Sequence, residues 1–559
     1  MYAQLKSHII LLAILAAALA LRLWAIMFGL PHTEARPDES TVIYIALRAL
    51  LFDPSPASLV YPTGYTYLLS GVYAVYAFIC RLFGAGPGVA GLLGEYAASP
   101  ATLFVLNRLL VAFMGVATVY AVYKIAFLRA GHRAGLLAGL LMAVCYLHVR
   151  DSHFGTLDVP MTFFLVLSVL FMARWPDAPT IANYLAAGAF AGLAVGVKYV
   201  GILLAVHGLA AHWAASRNIK FKALILDRKI WLFELALLAG FFVSTPHAFL
   251  SFNQLAADFS YHKNLHGVMH GSNLLHHLVV SLNYGLGWPV LLAGLAGFIW
   301  CAAAQLRLFA LLFPFVLLYF FAIDKVNSGY VRYAVPLLPF FCLSAALLAE
   351  RLLQTIKDSS RRKATALLAV FLAGLSLYNS VRFDLLLSRP DSRNEAAASA
   401  RALIPDGASV ALLCGAYGCP LFPWQSAFFQ RGIAREQARG NDFKADLYKA
   451  WDKYYSEAAG PRYARAEFDS GENIFRLVSG QEVGPDWVVV ERSHLKDISA
   501  LPTGAAAALR GYAPAFSIEA ADLSCTGSVY DQEDAFYVPY RGFQCVNSPG
   551  PNIYFFKRR

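Results

Sequence analysis

The chain has 559 residues, of which 58% are hydrophobic and 14% charged, and it carries a formal charge of +11 at pH 7. A soluble protein would hold roughly a quarter charged residues, so a water-soluble enzyme is excluded. The basic excess sits in short loops between apolar runs, where the positive-inside rule places Lys and Arg, so it does not call for nucleic acid.

Taken in order, the first apolar run spans about 9–30, with Lys6 on its cytoplasmic side. It is longer than a secretory core and lacks a small-residue cleavage site, so it reads as a membrane span. The acidic turn Arg36-Pro37-Asp38-Glu39-Ser40 follows it directly, and Pro54, Pro56 and Pro62 then break regular structure. Residues 63–83 are apolar enough to cross. Crossing, however, would move Arg217, Lys220, Lys222, Arg228, Lys229, Arg361, Arg362 and Lys363 outside, against the charge rule. The stretch is therefore expected as a juxtamembrane or re-entrant helix on the outer face. Further spans are expected at about 103–128, 134–148, 157–174, 181–197, 199–215, 230–248, 277–302, 307–323, 334–352 and 364–380. The fold class is a polytopic α-helical membrane protein of about eleven transmembrane helices, with the N-terminus inside and the C-terminus outside.

After residue 381 polar residues rise and strand-like runs appear, Ser409 to Leu413 behind Pro405-Asp406-Gly407 and Trp487 to Val490 behind Gly484-Pro485-Asp486. A helical stretch, Asn394 to Leu403, precedes the first. The organisation is thus a membrane module over 1–380, with an outer first loop at 31–102, and an exported α/β domain over 381–559. Cys414, Cys419, Cys525 and Cys545 lie in that domain. In an oxidising space the simplest pairing is Cys414–Cys419 and Cys525–Cys545; free thiols are the alternative.

Two adjacent carboxylates beside a span are expensive to place, which makes Asp38 and Glu39 candidates for catalysis. Asp38 is also a candidate N-cap for the helix that follows. The segment His148 to Asp158 brings Asp151, His153 and Asp158 to the same outer side, Asp158 again doubling as a helix-start residue beside Pro160. Lys198 and Arg332 (the latter beside Tyr333) are outward cations that oppose the charge bias, and so invite an anionic ligand such as a lipid phosphate. His262, His266 and His270 share a helical spacing that allows metal ligation, although Gly267 and Gly271 weaken the helix.

These residues, in this order, resemble the GT-C glycosyltransferases, specifically the protein O-mannosyltransferase-like branch with its bacterial lipid-linked-sugar transferases. The matching stretches are Pro37-Asp38-Glu39, Tyr61-Pro62-Thr63-Gly64-Tyr65, Arg150 to Phe164, Gly192 to Gly201, Thr245 to Leu250, Arg332-Tyr333 with Pro336 and Pro339, and Pro390-Asp391-Ser392-Arg393. The resemblance implies an inverting transfer of a sugar from a polyprenyl-phosphate donor to a glycan, lipid or protein acceptor at the outer face of a bacterial inner membrane. It implies Asp38 as base with Glu39 supporting, and Asp158 orienting a substrate. Lys198, Arg332 and Tyr333 would meet the donor phosphate, with Tyr61, Asp151, His153 and His247 in support. No cofactor is required. A divalent ion is an option, for which Glu39, His262 and His266 are the candidate ligands. Tyr61-Pro62-Thr63 stands where the aminoarabinose branch has a lysine before paired prolines, and no loop is long enough for a β-trefoil insertion. Both departures narrow the acceptor. The competing classes are a transporter or flippase and a non-catalytic component of envelope polysaccharide assembly; against the former stands the lack of a sequence repeat with matched broken helices.

Overall fold

The structure is a computed structural model that describes residues 2–86, 88–216, 221–265, 273–326 and 328–559. The chain divides into two compact units. The first comprises 1–26, 55–69 and 107–382; the second comprises 27–54, 70–106 and 383–559. The acidic turn, which the sequence groups with the membrane helices, thus clusters with the C-terminal residues.

Among the described residues four helical stretches are long and apolar enough to cross a membrane: Gly64–Leu82, Ala101–Val144, Val331–Leu353 and Lys363–Leu403. Two bent pairs raise this to six. Asn273–Leu286 and Trp288–Ala304 meet at 117°, and Leu306–Leu312 and Pro314–Asp324 meet at 56°. The difference from about eleven has local causes. Gly287 at φ 78° turns the first pair, and Pro314 opens the second helix of the other. The expected spans at 181–197 and 199–215 appear as shorter apolar helices. Ala101–Val144 holds two expected spans, separated by Gly131 at φ 83°. Gly64–Leu82 passes the length test for a span in its own right. The bent pairs are neighbours in the chain, not counterparts in two halves.

Within the first unit the tightest pairing is between Ile181–Val197 and Arg228–Ser244. Gly188, Gly192 and Gly196 recur every four residues and face the second helix. A Cβ on Gly192 would lie 2.2 Å from the Leu237 carbonyl oxygen, and one on Gly188 equally close to that of Phe233. Small residues at this spacing let two backbones approach directly, the main means of helix association where solvent is apolar.

The second unit is built on a six-stranded mixed sheet of β1 (Ser409–Leu413), β2 (Ala464–Asp469), β3 (Ile474–Leu477), β4 (Trp487–Arg492), β5 (Tyr512–Ile518) and β6 (Asn552–Arg558), in the order β3-β2-β1-β4-β6-β5. β1 runs parallel to both β2 and β4, and the remaining pairs are antiparallel. The central strands are buried on both faces, as parallel strands require. Val489 and Trp487 pack with Ala396, Ala400 and Phe429 on one side. Val488 and Val490 pack with Leu413 and Phe475 on the other. The helix ahead of β1 runs Ser392–Leu403, capped by the Asp391 side chain. Disulfides join Cys414 to Cys419 and Cys525 to Cys545.

Candidate active site

Three of the sequence motifs meet in the first unit. Thr63 donates its amide to Thr245 Oγ1 at 3.2 Å and its hydroxyl to the Ser244 carbonyl at 2.9 Å. Thr245 in turn donates to the Gly196 carbonyl at 3.4 Å. Tyr199 donates to the Leu59 carbonyl at 2.7 Å. The turn before Gly64, the end of Ile181–Val197 and the Thr245-Pro246 corner are therefore one braced junction, with Lys198 next to it.

Lys198 follows the last residue of its helix, and Asp158 is the first residue of Asp158–Met172. A cation at a helix C-terminus and a carboxylate at an N-terminus both complement the helix dipole. Lys198 Nζ lies 2.5 Å from Asp158 Oδ1, and Arg332 Nε lies 4.0 Å from Asp158 Oδ2. Arg332 comes from the 3-10 segment Val331–Leu337. Asp158 is 4% exposed, while Arg332 and Lys198 keep 12% and 20% of their side chains open. Aromatic faces finish the cluster. The Arg332 guanidinium lies 4.3 Å over the Tyr330 ring and Lys198 Nζ lies 5.0 Å over Tyr333. Tyr319, fully buried, fixes Tyr333 by donating to its carbonyl at 2.9 Å. Asp158 thus faces the two cations and makes no side-chain cap.

The other expected residues of this unit are scattered in role. Asp151 forms a fully buried ion pair with Arg150 at 2.9 Å. His153 spans two backbone carbonyls, Val149 at 2.9 Å and Trp24 at 2.7 Å, and so ties the end of the first helix to the loop. That loop is held from the other side by Asn107, which donates to the Gly155 carbonyl and accepts from the Tyr65 hydroxyl at 2.6 Å. Tyr61 is exposed, and His247 is half-buried at the start of a four-residue helix. His266 and His270 and the side chain of His262 lie outside the described residues. Among the described residues no three His, Cys, Asp or Glu side chains converge as a metal site would require.

The acidic turn belongs to the second unit. Asp38 precedes the helix Glu39–Leu51 at φ 73°, ψ −22°, a left-handed conformation, and its side chain makes no cap bond. Its carbonyl takes the first helical bond from Val42 at 3.0 Å. A left-handed non-glycine residue costs about 1–3 kcal/mol and persists where the surroundings fix it, often at functional sites. Glu39 is fully buried and Asp38 half-buried. A third carboxylate, Glu34, stands close by. Burial raises its pKa, which Ser40 opposes by donating to it at 3.2 Å, while Glu39 and Asp38 add to the rise.

The turn is anchored by residues the sequence did not single out. Arg36 pairs with Asp534 at 2.8 Å, both fully buried, and lies 5.0 Å over Phe536. Arg393 donates to the Glu34 and Ala35 carbonyls at 3.3 and 3.4 Å while forking onto Asp391 at 2.8 and 2.6 Å. His32 Nε2 donates to the Cys419 carbonyl at 2.8 Å. Arg36 opens the acidic turn and Pro390-Asp391-Ser392-Arg393 is a matched motif, but nothing in a linear sequence pairs them across so many residues. His32 carried no signal.

Residues 102–248 match the family model described as dolichyl-phosphate-mannose-protein mannosyltransferase. The apo oligosaccharyltransferase of Archaeoglobus fulgidus superposes with a TM-score of 0.50 at 12% identity, covering 99% of this chain and 88% of that one. ArnT from Cupriavidus metallidurans bound to undecaprenyl phosphate gives 0.48 at 16% identity, over 74% of this chain and 85% of that one. The protein O-mannosyltransferase Pmt1-Pmt2 complex of S. cerevisiae bound to the sugar donor gives 0.34 at 18%, over 45% and 34%. Comparison with curated protein sequences finds no match. Residues 102–248 are thus similar to this mannosyltransferase family, and the fold is like that of the archaeal structure, a helical membrane fold with a C-terminal sheet domain.

Proposed function

We propose that this chain is an inverting glycosyltransferase that moves a sugar from a polyprenyl-phosphate donor to an acceptor hydroxyl at the outer face of a bacterial inner membrane. The carrying observation is that Lys198 and Arg332 come together at Asp158, between tyrosine faces. Paired cations suit a phosphate ester, and the family segment described by a lipid-phosphate sugar donor contains both Asp158 and Lys198.

The chemistry balances without a further reactant. The acceptor oxygen bonds to the anomeric carbon as the bond from that carbon to the phosphate oxygen breaks. The electron pair leaves with the polyprenyl phosphate, whose growing charge Lys198 and Arg332 neutralise. The hydroxyl proton passes to Asp38, and the transition state has oxocarbenium character, as in glycoside hydrolysis. A single displacement inverts the anomeric centre. Glu39 supports the turn, and no step is routed through a metal. In this proposal the chain crosses the membrane with about eleven spans, and the sheet domain lies in the periplasm.

The test supplies purified wild type and variants with a panel of polyprenyl-phosphate sugars and acceptors. Asp38→Asn is expected to lose ~100-fold or more in kcat, within the range for a lost general base. Lys198→Met and Arg332→Gln are expected to raise the donor KM and lower kcat together. A wild type that carries the lipid across liposomes without cleaving it would make the chain a flippase and sink the proposal.

A further inference from the structure

We infer that the sheet domain positions the base for the transfer: Arg393 and the Cys414–Cys419 loop, the latter through His32, hold the acidic turn from which Asp38 acts. This rests on the proposed role of Asp38, and every contact it uses lies within the second unit.

The grip is on backbone, so it fixes where the turn runs and not merely which side chains touch. Arg393 is fully buried and gives one guanidinium nitrogen to the Glu34 carbonyl and another to the Ala35 carbonyl. The first of these nitrogens also donates to the Tyr417 carbonyl at 2.8 Å. Two residues further on, the Cys419 carbonyl receives His32 Nε2 at 2.8 Å. Both acceptors therefore belong to one short loop, closed on itself by the disulfide between Cys414 and Cys419. Tyr417 sits in it at φ 62°, a conformation that an open loop would have no reason to keep. The ring sets the spacing of two carbonyls, and those carbonyls set the course of residues 32–35, just ahead of Asp38. Asn394, one residue beyond Arg393, continues the grip by donating to the Gly29 carbonyl at 2.8 Å. A base displaced by about 1 Å can lose ~100-fold in rate, so a frame for the turn governs turnover. The phosphate-facing residues Lys198, Arg332 and Asp158 belong to the other unit, so donor binding should not feel the change.

The experiment uses the full-length protein and the panel of polyprenyl-phosphate sugars. His32→Ala is expected to lower kcat by about 10- to 100-fold with donor KM unchanged. His32→Gln, whose amide can still reach the Cys419 carbonyl, is expected to restore kcat. In wild type, reductant should lower kcat in step with alkylation of Cys414 and Cys419, and reoxidation should return it. Unchanged kcat in His32→Ala, or full activity with both thiols alkylated, overturns the inference, as does a loss that tracks Cys525 and Cys545 instead. If His32→Ala does not fold, the reduction of folded wild type decides. If wild type consumes no donor, the proposed function fails, and hydrogen exchange decides this inference separately. Amides of residues 35–42 should exchange faster in His32→Ala and on reduction, but not in His32→Gln; equal protection throughout overturns it.

Discussion

Asp38 carries its carboxylate on a backbone that L-residues avoid, and this lets geometry and chemistry be separated by mutation. Asparagine tolerates the left-handed region and glycine adopts it freely. Asp38→Gly should therefore fold with stability unchanged or raised by up to about 1 kcal/mol, while turnover is lost; a melting temperature well below wild type would show that the side chain holds the turn. His32 gives a pH signature of opposite kind. Burial, helped by the nearby Arg393 charge and opposed by Asp391, lowers its pKa to about 4. In the unfolded chain the ring takes its proton near pH 6.5. Between those values the unfolded state binds more protons, so stability falls as pH drops through this window, by up to about 3 kcal/mol at the low end. Thermal melts of wild type and His32→Gln should diverge below pH 6.5 and agree above it; parallel curves would show that His32 is not held neutral. At this scale the sequence was legible where a charge broke a rule. Lys198 and Arg332 stood out because outward cations oppose the membrane bias, and they do meet at one carboxylate. His32 and the reach of Arg393 to residues 34 and 35 were illegible because these contacts are to backbone carbonyls, which no side-chain pattern records.

Among the elements, the glycine-lined contact of Ile181–Val197 with Arg228–Ser244 is the one on which the Lys198–Asp158–Arg332 cluster depends most directly, since Lys198 follows the end of its first helix. A β-branched side chain at Gly192 has no room, its Cβ falling 2.2 Å from a main-chain oxygen. Gly192→Val is expected to abolish folded protein in detergent, and Gly192→Ala to lower the melting temperature and donor affinity together, by gel filtration and lipid-binding assay. Normal binding in Gly192→Val would mean that the helices part without moving Lys198. Hydropathy located these helices well but misjudged their continuity. It registers apolar length and not direction, so the 117° turn at Gly287 read as an unbroken span. The strands at 409–413 and 487–490 were legible because turn residues bracket them and both faces are buried. β2, β3 and β5 are amphipathic or partly exposed and left no such run.

For the whole molecule, the sheet domain completes a unit that begins at Met27. Residues 1–382 alone would retain Lys198, Arg332 and Asp158 but lose Arg393, Cys419 and Asp534. Such a truncation is expected to bind polyprenyl phosphate yet transfer nothing to any acceptor; residual transfer would show that the proposed base works without the sheet domain. Breaking the buried Arg36–Asp534 pair from one side should cost about 3–5 kcal/mol, read as a loss of melting temperature in Asp534→Ala. The order of the strands adds a matter of timing. β6, the last segment of the chain, lies inside the sheet between β4 and β5. A ribosome therefore releases the acidic turn some 500 residues before the strand that closes its support exists. While the chain is being made, the turn has no finished frame until β6 has emerged and paired with β4 and β5.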